Sequence, residues 1–173
     1  MIKEIKNKKL FLMCGVPASG KSTWVQNYKT SIEGNTDVVS RDQIRFSLVK
    51  EDEEYFSKEK EVFRTFIDTI KRDIADPCVD NIIVDATHIN PRSRAKTLNC
   101  IGKDLKGVDV YAVVLKVPLK TCLERNAKRE GRTCVPVSAI EGMYSVYEDP
   151  SIEEGFKEIY FYDENGKMKG VRC

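Results

Sequence analysis

The sequence predicts an α/β domain, a parallel sheet in the middle layer with helices packed on both faces. Three observations predict it. Short apolar runs alternate with stretches of helical periodicity along the chain. A glycine-rich turn separates the first apolar run from the first helical stretch. The length of 173 residues, with 41% hydrophobic and 32% charged side chains, suits one domain that buries a core. No repeat, low-complexity tract or linker divides residues 1–173, so a single domain is expected, with its ligand beyond the carboxyl ends of the strands.

Residues 9–14 are an apolar run entering the glycine turn, which reads as a strand buried on both faces. A helix over residues 21–32 follows, closed by Gly34. Residues 37–40 form a second short strand, and residues 41–50 begin another helix. Beyond the acids at 51–54, Phe56, Val62, Phe63, Phe66, Ile67, Ile70 and Ile74 recur every three or four residues as far as Pro77, the mark of an amphipathic helix. That stripe reads as core, and Tyr55 and Trp24 read as packing residues, although either ring offers a face on which a base can stack. Residues 82–85 make a third strand ending on an acid, and Pro91 opens a helix running to about residue 106. A fourth strand spans 109–117, cation-rich helix 118–131 follows, and 137–147 is a further helix. Residues 158–162 read as a fifth strand, followed by the hairpin signal Asn165-Gly166.

Composition excludes several classes of function. The longest apolar runs, 10–14 and 110–115, fall far short of the ~20 residues a membrane helix needs. Neither run has the flanks of a secretory signal, so none is expected. Six cysteines lie scattered without a C-x-x-C pair, and His88 is the only histidine; a reducing, cytoplasmic setting without a structural zinc site is expected. The net charge of +2 does not announce a nucleic-acid partner. Its distribution is more telling: residues 91–134 hold eleven Lys/Arg against four acids, whereas 141–164 hold eight acids and one lysine. The basic block can bind a polyanion or can be a solvated helix face.

Gly15-Val16-Pro17-Ala18-Ser19-Gly20-Lys21-Ser22 matches G-x-x-x-x-G-K-[ST] at every fixed position, between a predicted strand and a predicted helix. In such a loop successive amides point at a phosphate and the helix adds its positive end. Lys21 is then expected on the β/γ-phosphates and the Ser22 hydroxyl on Mg²⁺. Asp85, ending an apolar strand, is in the place of an acid that holds the metal through water, and equally in the place of a turn residue. Asp42 and Arg45, three apart on a helix, can meet one substrate, the carboxylate taking a hydroxyl proton and the guanidinium holding an anion. An ordinary ion pair has the same spacing. Arg125, Arg129 and Arg132 fall on one stripe of the expected helix 118–131 and suit the spread charge of a phosphoryl-transfer transition state; a solvated face is the alternative. His88 reads as a hydrogen-bonded turn residue or a substrate contact.

Together these residues resemble the kinase domain of phage-type polynucleotide 5′-kinases, within the P-loop kinase superfamily. The resemblance covers about residues 10–148. It rests on residues 15–23, Ser40-Arg41-Asp42 with Arg45, Asp85-Ala86-Thr87 followed by Asn90-Pro91 and Arg94, and Arg125-Asn126-Ala127-Lys128-Arg129 followed by Val135-Pro136. It implies the kinase-type three-layer fold with sheet order 2-3-1-4-5 and an arginine-rich lid around 120–135. It also implies transfer of the γ-phosphate of ATP, with Mg²⁺, to the 5′-hydroxyl of DNA or RNA. In that scheme Gly15, Ala18, Ser19, Gly20, Lys21, Ser22 and Thr23, with Arg125, Arg129 and Arg132, hold the nucleotide, and Ser22 and Asp85 serve the metal. Asp42 is the general base, Arg45 binds a substrate phosphate, Arg129 meets the transferred phosphoryl group, and Arg41, Thr87 and His88 complete the acceptor side. The family usually has Asn at the position of His88. Many members continue into a phosphatase domain opened by Asp-x-Asp-Gly-Thr; Asp163-Glu164-Asn165-Gly166 is not that motif, and 3′-phosphatase activity is not expected. Two other readings share the loop: a kinase of a small alcohol (nucleoside, sugar or antibiotic), and a nucleotide sensor with no acceptor.

Overall fold

The computed structural model describes residues 7–173. Its middle layer is a sheet of β1 (Lys8–Cys14), β2 (Thr36–Ser40), β3 (Asn81–Asp85), β4 (Val108–Leu115), β5 (Glu158–Tyr162) and β6 (Met168–Arg172). The order is β2-β3-β1-β4-β5-β6, so the expected 2-3-1-4-5 arrangement is present with one more strand at its edge. The first five strands are parallel; β6 runs antiparallel to β5 across the turn at Asn165-Gly166.

Alternation along the strands builds two cores from one apolar run. Leu10, Leu12 and Cys14 join Ile82, Val84, Val110, Ala112 and Val114 on one face, under α3 (Glu59–Ala75) and α4 (Pro91–Ile101). Phe11 and Met13 join Ile83, Tyr111 and Val113 on the other, under Trp24 and Val25 of α1 (Lys21–Ser31). Burial on both faces is why these strands read as continuous rather than alternating apolar segments. A third cluster, Val16, Val117, Cys122 and Ile140, seats α5 (Leu119–Asn126) and α6 (Val137–Ser145) beside the glycine loop.

Register sets the site. Ser40 pairs with Asp85 and Leu12 with Val84, so β1, β2 and β3 end at one edge. There the Gly15 amide donates to the Thr87 carbonyl at 2.9 Å, tying the glycine loop to the segment after β3. Ser40 is both the last residue of β2 and the N-cap of α2 (Arg41–Leu48), its hydroxyl accepting from the Gln43 amide at 3.5 Å.

Three helix boundaries differ from expectation. The apolar stripe reaches back to Phe56, but α3 starts at Glu59; Phe56 lies in the preceding turns and is 61% exposed, not core. The helix opened by Pro91 ends at Ile101 and passes into a short 3-10 turn at Gly102–Asp104. The cation-rich helix stops at Asn126 rather than near residue 131. The buried Asn126 side-chain amide donates to the Val135 carbonyl at 2.7 Å and accepts from the Val135 amide at 3.0 Å, folding residues 126–135 back on themselves.

Candidate active site

The glycine loop has the backbone that its sequence requires. Ala18 (φ 62°) and Gly20 (φ 98°) take left-handed conformations, and Gly20 caps α1. A Cβ on Gly15 would fall 2.6 Å from Ser19 Oγ, so a side chain there closes the loop. Lys21 turns its amine back onto the loop, donating to the carbonyls of Gly15 and Val16 at 2.8 Å each. Burial lowers its proton affinity, and the carboxylates of Asp85 and then Asp42 work against that fall. Asp85 is shifted upward, chiefly by burial and also by Asp42, while Lys21 draws it down. Asp85 and Asp42 both act on the Lys21 amine, so three side chains that the sequence separates lie together at the end of the sheet.

The loop fits a phosphate chain. Among the described residues Ser19 Oγ is buried without a hydrogen-bond partner, the Lys21 amine bonds the loop carbonyls, and Arg125 Nη1 lies 3.5 Å from a Cβ position on Gly20. Ser22 and Thr23, exposed in the first turn of α1, line a cleft of about 560 Å³ with Arg125, Arg129 and the turn at 163–166. Trp24 also borders this cleft but is buried, stacked on Tyr28 at 4.5 Å, as its packing role predicts. Among the described residues no three of His, Cys, Asp and Glu gather around a point that could hold a metal. A magnesium ion held by Ser22 and Asp85, as the sequence reading expects, would need nucleotide oxygens and water for its remaining ligands.

The arginine stripe is not a stripe. Because α5 ends at Asn126, only Arg125 is helical; Arg129 lies in the following turn and Arg132 in a 3-10 turn at Gly131–Thr133. Arg125 and Arg129 line the cleft, with Arg125 donating to the Glu164 carbonyl at 2.6 Å. Arg132 instead crosses to α2, its guanidinium 4.8 Å from the centre of the Phe46 ring, leaving Nη2 buried without a partner.

On α2, Asp42 is two-thirds exposed and its Oδ1 accepts from Arg45 Nη1 at 2.7 Å and from the Tyr55 hydroxyl at 3.3 Å. Arg45 was expected to reach a substrate phosphate. It is only 5% exposed, with Nη1 on Asp42 and Nη2 on Glu59 Oε2 at 2.7 Å, and it lies against the rings of Tyr55 and Phe56. Its Nε alone is buried without a partner. In this arrangement Arg45 holds the Asp42 carboxylate. Arg41 bonds the other oxygen of Glu59 and lies over Phe63, which also carries Lys96 at 4.3 Å.

His88 does not face an acceptor. It is buried, Nδ1 donating to the Met13 carbonyl at 3.0 Å and Nε2 accepting from the Thr97 hydroxyl at 3.1 Å, and burial pushes its pKa down to about 4. The neutral tautomer that this network assigns braces β1 against α4. Thr87 contributes its carbonyl to Gly15. Glu59 was missed, and Tyr55, read as packing or as a stacking face, instead donates its hydroxyl to Asp42. Glu59 is one acid among several in its stretch of sequence, and nothing local marks it as the partner of two arginines on another helix.

Known proteins share this architecture. A fungal RNA kinase superposes with a TM-score of 0.64 at 12% identity, over 90% of this chain and 73% of its own. The Pnkp1/Rnl/Hen1 RNA repair complex contains a chain that matches with a TM-score of 0.67 at 24% identity, covering 84% of this chain but 45% of that one. A gluconokinase from Sinorhizobium meliloti 1021 matches with a TM-score of 0.56 at 16% identity, over 93% and 84% of the two chains. These likenesses are of fold, the P-loop kinase fold. Residues 10–150 match the family AAA_33, described as AAA domain, and since they make up most of the 173-residue chain, the protein belongs to that family.

Proposed function

We propose that the protein is an ATP- and Mg²⁺-dependent kinase of polynucleotide 5′-hydroxyl ends. The observation that carries this reading is the Asp42 carboxylate. It is accessible, yet held by Arg45 and Tyr55, and it stands near enough to Lys21 to influence that amine. A nucleotide sensor has no use for such a group. In the reaction, Asp42 takes the proton of the attacking hydroxyl as the new O–P bond forms, and the bond from Pγ to the bridging oxygen breaks to release ADP. The loop amides and Lys21 hold the β/γ-phosphates, and Arg125 and Arg129 neutralise charge on the donor side. Ser22 and Asp85 would hold Mg²⁺, which when bound would supply further neutralisation of the phosphate oxygens.

RNA-kinase neighbours support a nucleic-acid acceptor, and the gluconokinase neighbour makes a sugar the competitor to test. The deciding experiment offers γ-labelled ATP with 5′-hydroxyl oligonucleotides, nucleosides, gluconate and hexoses. Oligonucleotides are expected to be labelled, with affinity falling in salt at a slope of about −0.7 per phosphate contacted. Labelling of a sugar or nucleoside alone, indifferent to salt, replaces this reading with a small-molecule kinase.

A further inference from the structure

Phe56 is the most exposed large hydrophobic side chain among the described residues, and it lies beside the candidate base. Its ring meets Tyr55 edge-on, centroids 4.8 Å apart at 87°, and the Arg45 guanidinium lies 5.4 Å from its centre. The same guanidinium bonds Asp42 at 2.7 Å. Thus an oriented aromatic ring, open to solvent, is separated from the carboxylate by one arginine.

The surrounding charge selects what can cover it. On the chain side, Glu51, Asp52 and Glu54 are exposed acids in the turns just before the ring, while Glu53 pairs with Lys58 at 3.0 Å. Contacts also run from Phe56 through Arg45 and Glu59 to Arg41, and across Phe63 to Lys96. Arg41 and Arg45 each keep a buried Nε without a hydrogen-bond partner. The exposed acids of the same turns repel an anion placed over the ring, whereas a flat, uncharged group meets no such penalty. A nucleobase has that shape and charge.

On the polynucleotide reading above, we infer that Phe56 is the platform on which a base at the 5′ end of the acceptor strand stacks while Asp42 receives the terminal hydroxyl. Tyr55 and Arg45 set the plane of the ring.

The test uses Phe56→Ala and Phe56→Trp with two acceptor strands, one ending in a normal 5′-nucleotide and one abasic there. Phe56→Ala is expected to raise KM for the normal strand by about ten-fold or more, with kcat and the KM for ATP held. Phe56→Trp restores it, and the abasic strand shows no such penalty. A 5′-terminal 2-aminopurine is expected to be quenched on binding the wild-type and Trp forms, and not the Ala form. An equal effect of Phe56→Ala on both strands, or none on either, overturns the platform while leaving the polynucleotide kinase intact. Concentration-dependent dimerisation that Phe56→Ala abolishes also overturns it, because a second copy would then cover the ring. If the wild-type protein labels no oligonucleotide but does label a sugar, the parent reading fails and the platform falls with it.

Discussion

Two buried arginines serve this fold in opposite ways. Arg94, on α4, is fully buried, and its guanidinium is completely used: Nε and Nη2 on Glu154 at 2.6 and 2.9 Å, Nη1 on the Glu148 and His88 carbonyls, Nη2 also on the Asp149 carbonyl. Arg45, on α2, is almost as buried but keeps an Nε without a partner, as do Arg41 at Nε and Arg132 at Nη2. Burial alone does not tell a structural arginine from a functional one. The difference lies in what is left over: Arg94 exhausts its donors on the protein, whereas Arg45, on the kinase reading, keeps one back at a cost in stability.

The comparison breaks most sharply at Asp42, the acid that Arg45 holds. Asp42→Asn keeps the shape and is expected to lower turnover by about 10²- to 10⁴-fold, while ATP affinity and the unfolding midpoint stay near wild type. Near-normal phosphorylation by this variant removes Asp42 as the base. Arg94→Met is expected to do the reverse, costing about 3–5 kcal/mol in denaturant unfolding because Glu154 and three carbonyls lose their donor. A stable Arg94→Met protein with poor turnover would merge the two classes of arginine.

His88 sharpens the structural side. Its folded pKa of about 4 lies below the ordinary 6.5, so between those values the unfolded chain binds a proton that the native protein does not. Stability is therefore full above pH 6.5 and is lost as pH falls through about 4, by on the order of 3 kcal/mol. His88→Asn, whose shorter side chain tolerates the local φ of 38°, is expected to flatten that acid limb in urea titrations. An unchanged pH profile assigns the acid sensitivity elsewhere. The smallest effect is expected at Glu59. Glu59→Gln weakens its hold on Arg41 and Arg45 and should reduce kcat by about 10- to 100-fold with the KM for ATP unmoved, equivalent to about 1.5–3 kcal/mol. Loss of kcat and ATP affinity together would make Glu59 a general structural support.

The sheet and the loop were legible in the sequence because each depends on local chemistry: runs buried on both faces, a glycine where φ is positive, an acid at a strand end. Helix ends were not. Phe56 stands seven residues before Phe63 and so in phase with the stripe of α3, yet the turns from Lys50 to Glu59 come between, and periodicity does not register where a helix stops. Arg132 looked aligned with Arg125 only while the helix was continuous. Asn126 breaks it through a bond to Val135, nine residues on, which no local pattern announces. The pairing of Glu59 with Arg45 crosses from one helix to another and depends on tertiary packing alone.

The junction at Ser40 has no slack: one residue ends the strand and starts the helix. One inserted residue there would turn α2 by roughly 100° and swing the carboxylate away from the loop. The proposed acceptor side is thus geared to the sheet, its carboxylate placed by the register of β2 against β3.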